Sequence, residues 1–178
     1  MNTTTPYWQR RQALIAAAVV LALLVIMVVV LPRRQTPAPD VSFTLIDGSK
    51  LILKDLRGKP VLVFFWATTC NTCIAKTPEM NRLYRQLQPQ GLEMVAVAMP
   101  YDPPTRVVEY ARKLHMPYPV ALDHRAEIVR AFGNVRVTPT TVLITVDGTI
   151  AWRKPGKLDT ARLGATIAQM INNPKANP

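Results

Sequence analysis

Val61-Leu62-Val63-Phe64-Phe65-Trp66-Ala67-Thr68-Thr69-Cys70-Asn71-Thr72-Cys73 is the stretch that decides the fold. Its first half is a continuous apolar run bounded by Gly58-Lys59-Pro60, which reads as a central strand buried on both faces. Its second half is a C-x-x-C made of the only two cysteines in the chain, and a helical pattern follows it. Two thiols three residues apart at a helix start lie close enough to bond within one turn. The first sits where unpaired backbone N–H groups and the helix dipole stabilise a thiolate. Such an arrangement exchanges electrons, so these residues point to thiol–disulfide chemistry.

Working outward, the spacing predicts a helix from about Cys70 to Leu87, kinked by Pro78, with Met80, Leu83, Tyr84 and Leu87 as its buried stripe. Strands are expected at Leu92–Met99, Tyr118–Ala121 and Thr140–Val146. Helices are expected at Thr105–Leu114, at Asp123–Phe132 with Asp123 as cap, and at Leu158–Ile171. Asp47-Gly48 marks a hairpin turn between Val41–Leu45 and Lys50–Leu53, and Asp147-Gly148 marks a second hairpin whose return strand is Thr149–Arg153. Helix-connected strands followed by a late hairpin imply an α/β fold with a mixed central sheet and helices on both faces.

Ala13 to Leu31 is a run of nineteen residues without a polar side chain. As a helix it spans ~28 Å, close to the ~30 Å hydrocarbon thickness of a bilayer. It exceeds a signal-peptide core of ~7–15 residues, and Pro32-Arg33-Arg34 follows where a small-residue cleavage site would stand. The expected organisation is therefore a cytoplasmic N-terminus at 1–12, a transmembrane anchor at 13–31 and a Pro-rich linker at 32–39. A folded domain at 40–171 and a disordered tail at 172–178 complete it. The linker reaches at most about 25 Å at ~3.1 Å per residue, which keeps the domain near the membrane surface. Arginines flank the run on both sides, so charge barely sets its orientation. A disulfide-exchange domain is most useful in an oxidising compartment, which favours a single-pass protein of a bacterial inner membrane with its domain in the periplasm.

The formal net charge is +11. From residue 40 onward, 18 Lys and Arg face 11 Asp and Glu, leaving +7 scattered along the domain. Scattered charge reads as a solvated basic surface, and no aromatic-rich basic motif suggests nucleic acid. A zinc site would need four ligands, and only His115 and His124 could complete one, so no metal and no cofactor are expected.

Phe64-Phe65-Trp66-Ala67-Thr68-Thr69-Cys70-Asn71-Thr72-Cys73 resembles the active-site region of the thioredoxin superfamily, where a Trp-Ala pair shortly precedes the C-x-x-C. Val135-Arg136-Val137-Thr138-Pro139-Thr140-Thr141 resembles its second hallmark, a proline loop 66 residues after the second cysteine. With the apolar anchor, the N-terminal hairpin and an extra segment at about Pro100–Val120, the chain is similar to the membrane-anchored TlpA/ResA-like disulfide reductases over residues 40–171. The resemblance implies a thioredoxin-like fold. It makes Cys70 the nucleophile and Cys73 the resolving thiol. Pro139 is implied to be cis, with Thr138 and Pro139 docking substrate, and Trp66 to support the active site. Relatives hold carboxylates where this chain has Phe64 and Lys76. Lys76 is thus a candidate cation beside the sulfurs, or a solvated lysine on the helix, and Glu79 or Asp123 could stand in for the missing acid.

The resemblance also implies direction: reduction of partner-protein disulfides in the periplasm, with recharging by a membrane electron donor. A disulfide oxidant or isomerase is the alternative within the class. A copper-handling thiol module for oxidase assembly is the alternative outside it. The thiol-peroxidase motif P-x-x-x-[TS]-x-x-C has no match before Cys70.

Overall fold

The computed structural model describes residues 7–30 and 36–173, and its contacts divide the chain into two units at residues 34 and 35. The first unit holds one helix, α1 (Tyr7–Val30). Its Leu14, Ile15, Val19, Val20, Leu21 and Leu23 are exposed. Among the described residues no helix is long and apolar enough to cross a membrane. The side chains of residue 13 and of 24–31, which belong to the expected anchor, lie outside the described ones, as do residues 1–6, 31–35 and 174–178.

The second unit is an eight-stranded mixed sheet flanked by helices, a thioredoxin-like α/β fold. Its strands are β1 (Thr36–Pro37), β2 (Ser42–Leu45), β3 (Lys50–Ile52), β4 (Val61–Trp66), β5 (Glu93–Ala98), β6 (Val120–Leu122), β7 (Thr140–Ile144) and β8 (Thr149–Pro155). Their spatial order is β1-β8-β7-β4-β5-β6-β2-β3. The helices are α2 (Asn71–Leu87), α3 (Pro104–Lys113), α4 (Glu127–Ala131) and α5 (Thr160–Asn172). Every residue of β4 is buried, as its unbroken apolar run requires. Alternation sends Leu62, Phe64 and Trp66 into a core with α2, α3 and α5, while Val61, Val63 and Phe65 pack with α4 on the other face.

Register places the chemistry. β4 runs parallel to β5, pairing Trp66 with Ala98, and antiparallel to β7, pairing Phe65 with Thr140. The loop that leaves β4 toward Cys70 and the loop that enters β7 through Pro139 therefore meet the sheet at the same end.

Several element bounds depart from the sequence expectation. Thr36 and Pro37, read as part of the linker, pair with Ile150 and Thr149 and form one of the sheet's two edge strands. A two-residue strand leaves no periodicity to read. The third parallel strand starts at Val120 rather than Tyr118, because Pro119 has no N–H and offers only its carbonyl, to Ala96 N at 2.9 Å. The helix expected at Asp123–Phe132 shrinks to α4, since Ala126 adopts a left-handed conformation at φ 57°. Asp123 still caps it, from a position before that turn: its carboxyl accepts Ile128 N at 3.1 Å and Val129 N at 2.8 Å. At the other end of the chain, Asn172 closes α5, where the tail was expected to begin.

Asp123→Ala strands these two buried donors. The expected cost is about 1–2 kcal/mol of unfolding free energy, read as a lower urea midpoint at unchanged slope.

Candidate active site

Cys70 and Cys73 form a disulfide with Cα atoms 5.2 Å apart. Cys70 is the N-cap of α2, in extended backbone at φ −91° and ψ 94°. Its Sγ accepts the backbone N–H of Cys73 at 3.1 Å, and its carbonyl accepts Ile74 N at 3.1 Å. The first sulfur thus takes the place that a Ser or Asp side chain usually fills at a helix start. Cys70 is partly exposed, whereas Cys73 is fully buried in the core with Trp66, Phe64 and Met80. A sulfur held at a helix N-terminus and reachable from solvent is suited to attack. A buried one three residues on is suited to act only on its neighbour.

The Thr138–Pro139 bond is cis. The loop around it is held at four points. The Arg153 guanidinium on β8 donates to the carbonyls of Phe132 and Gly133. Val135 N donates to Val129 O at 3.0 Å, and Thr140 Oγ1 donates to Val137 O at 2.6 Å. Gly156 N donates to Pro139 O at 2.7 Å from a left-handed φ of 81°, which a side chain would oppose. Pro139 is buried, Thr138 is half-buried, and Val137 is exposed.

Trp66 is fully buried in the core cluster that holds Cys73, and among the described residues its Nε1 has no hydrogen-bond partner. Lys76 is paired: its Nζ lies 2.6 Å from Glu79 Oε2, one helical turn along α2. Glu79 also accepts the Thr160 hydroxyl, which ties α2 to α5. The Lys76 hydrogen bond, with help from Thr160, holds the Glu79 carboxyl below the ordinary carboxylate range. A carboxylate so held is a poor proton acceptor. Asp123, the other stand-in, is engaged at α4, and residue 64 is an apolar core side chain. His115 and His124 are both exposed. Among the described residues no group of three His, Cys, Asp or Glu side chains could hold a metal ion.

One pair near the site has no sequence signal. Asp102, on the loop after β5, is buried, and its two carboxyl oxygens accept Thr68 N and Thr68 Oγ1, each at 2.6 Å.

Comparison with known proteins agrees with this geometry. Residues 33–168 match the Redoxin family model. The chain is similar to the thiol-disulfide oxidoreductase ResA of Bacillus thuringiensis subsp. konkukian, 34% identical over 113 residues. It is also similar to the ResA of Geobacillus thermodenitrificans, 35% identical over 113 residues. Each match covers 64% of this chain and 64% of the relative's own length. Among solved structures, a thiol:disulfide interchange protein of the thioredoxin family from Chlorobium tepidum superposes with a TM-score of 0.72 at 26% identity. That alignment covers 78% of this chain and 98% of the other.

The Glu79 pair generates a pH dependence with a definite sign. A carboxyl whose folded pKa is lowered contributes stability that is complete above its unfolded value, near 4.5, and is lost as pH falls through the folded value. Glu79→Gln should therefore be less stable than wild type at neutral pH, and the two urea-unfolding curves should converge below about pH 4.5. A difference that stays constant across that range would contradict the pairing.

Proposed function

The chain belongs to the Redoxin family, as a ResA/TlpA-like member of the thioredoxin superfamily, and we propose that it is a membrane-tethered thiol–disulfide oxidoreductase. The observation that carries the reading is the Cys70–Cys73 disulfide at the N-terminus of α2, with Cys70 partly exposed and Cys73 buried. The relatives named thiol-disulfide oxidoreductase support it.

In the proposed direction the reduced chain is the electron donor. The Cys70 thiolate attacks one sulfur of a partner protein's disulfide. A mixed disulfide forms, and the partner's other sulfur leaves as a thiolate. The Cys73 thiolate then attacks Cys70 Sγ and releases the second partner thiolate. Two electrons have moved to the partner, and the chain is left with the Cys70–Cys73 disulfide. The N–H of Cys73 and the dipole of α2 would stabilise the attacking thiolate. Thr138 and Pro139, on the loop that meets the sheet at the same end, would present backbone to an extended partner segment, with Trp66 packing beneath. A membrane electron donor would reduce the pair again.

The apolar run at 13–31 supports the tether. The exposed Leu14, Ile15, Val19, Val20, Leu21 and Leu23 of α1 would face lipid. We place the domain in the periplasm, where an exposed dithiol has disulfide-bearing proteins to act on.

The test uses the full-length chain in a bacterium. Cys73→Ser should accumulate mixed disulfides with partner proteins, resolved by dithiothreitol, and Cys70→Ser should accumulate none. Alkylation trapping of the wild type should find the pair mostly reduced. A fully oxidised steady state would turn the reading toward an oxidant, and trapping through Cys73 instead of Cys70 would reverse the roles. The protein should stay with membranes after an alkaline carbonate wash. Cys70 of Cys73→Ser should react with an impermeant maleimide in spheroplasts, whereas protection from it would place the domain in the cytoplasm.

A further inference from the structure

Thr68 and Asp102 are 34 residues apart in sequence, both almost wholly buried, and joined by two short hydrogen bonds to one carboxyl group. They sit on two turns that leave neighbouring parallel strands. The first turn is closed by Cys70 N donating to Ala67 O at 3.1 Å, and Thr68 lies inside it. The second is closed by Asp102 N donating to Met99 O at 2.9 Å. Between the strands themselves, the last link is Met99 N to Trp66 O at 3.0 Å. Beyond that link the Asp102 carboxyl joins the two turns, gripping both the amide and the hydroxyl of Thr68.

The turn it grips is the one that delivers Cys70 to the N-cap of α2. A buried carboxyl aimed at a backbone amide and a hydroxyl of the same residue fixes that residue's position and its χ1 together. With Thr68 fixed, the two residues that follow have little freedom in setting the distance from Cys70 Sγ to the Cys73 N–H, here 3.1 Å. That distance, and the sulfur's place on the helix axis, decide how far the helix start stabilises a thiolate.

We infer that Asp102 and Thr68 are positioning residues for the Cys70 nucleophile: their paired hydrogen bonds hold the cysteine turn so that Cys70 Sγ stays at the N-terminus of α2. The inference rests on the exchange chemistry proposed above, because it concerns the sulfur that chemistry uses.

The experiment measures the pH dependence of Cys70 alkylation by iodoacetamide, in the full-length chain carrying Cys73→Ser. Thr68→Val removes the hydroxyl bond and Asp102→Ala removes both. Each should move the Cys70 profile to higher pH, by about one unit for Asp102→Ala, with a roughly tenfold slower reaction below the midpoint. Thr68→Ser keeps both bonds and should restore the wild-type profile. The direction is informative, because loss of a nearby negative charge alone would move the profile to lower pH. No shift, or a downward one, in variants that still fold would overturn the inference and leave the pair as a packing contact. Should Asp102→Ala fail to fold, Thr68→Val decides. The wild type, with both cysteines, is assayed in parallel for reduction of a protein disulfide. Its inactivity there would sink the exchange reading, while the Cys70 profiles would still report on the positioning.

Discussion

Burial of β4 on both faces is the constraint on which the rest depends. A six-residue strand with no exposed side chain must have a strand on each edge and a helical layer on each face. β5 and β7 supply the edges, α2, α3 and α5 cover one face, and α4 covers the other. Shifting this strand by one residue would send Phe64 and Trp66 to the opposite core and Phe65 to theirs, so the register is strongly specified. The site inherits that precision. The cysteine turn leaves the end of β4, the Asp102 turn leaves the end of β5, and Pro139 precedes the start of β7. Three loops with no regular structure of their own are aligned because the strands they join cannot slip.

Polar groups, as well as packing, fasten these loops. Loop backbone at the edge of a core leaves N–H and C=O groups that neither water nor the sheet satisfies. Here Arg153 takes the carbonyls of Phe132 and Gly133, Gly156 takes the carbonyl of Pro139, and Asp102 takes the amide of Thr68. Each fastening answers a backbone group and, in doing so, removes freedom from the residues that flank the disulfide.

What could be read in advance follows from how local the signals are. The strand, the C-x-x-C and the helix behind it are contiguous, and their periodicities name them. The cis bond at Pro139 was expected from resemblance, through the pattern around Val135–Thr141. Asp102 was invisible: Tyr101-Asp102-Pro103-Pro104 reads as an ordinary turn into α3, and nothing in it points 34 residues back to Thr68. Arg153 and Gly156 were invisible for the same reason, since their partners are carbonyls, which every residue carries. Lys76 was legible as a charge on the helix but not as a paired one. Its partner Glu79 is fixed partly by Thr160 from α5, a contact that only the fold creates.

These fastenings bear on how the sulfurs are tuned. The resemblance implies acids at the positions of Phe64 and Lys76, so a carboxylate facing the buried thiol was the natural thing to look for. The two acids considered for that work are engaged elsewhere, Asp123 at the start of α4 and Glu79 at Lys76 and Thr160, and the acid that the fold brings to the cysteine turn, Asp102, is engaged at Thr68. Lys76, in turn, has its charge offset within its own helix. The contact recorded at the first sulfur is with the peptide dipole of α2, acting on Cys70 through the Cys73 N–H. On the proposed chemistry, sulfur reactivity then depends on geometry more than on a tuned charge pair. A dipole falls off within one helical turn, so small displacements of Cys70 matter more here than they would beside a full charge. That is why the residues that aim the cysteine turn carry as much of the chemistry as any group that could exchange a proton with it.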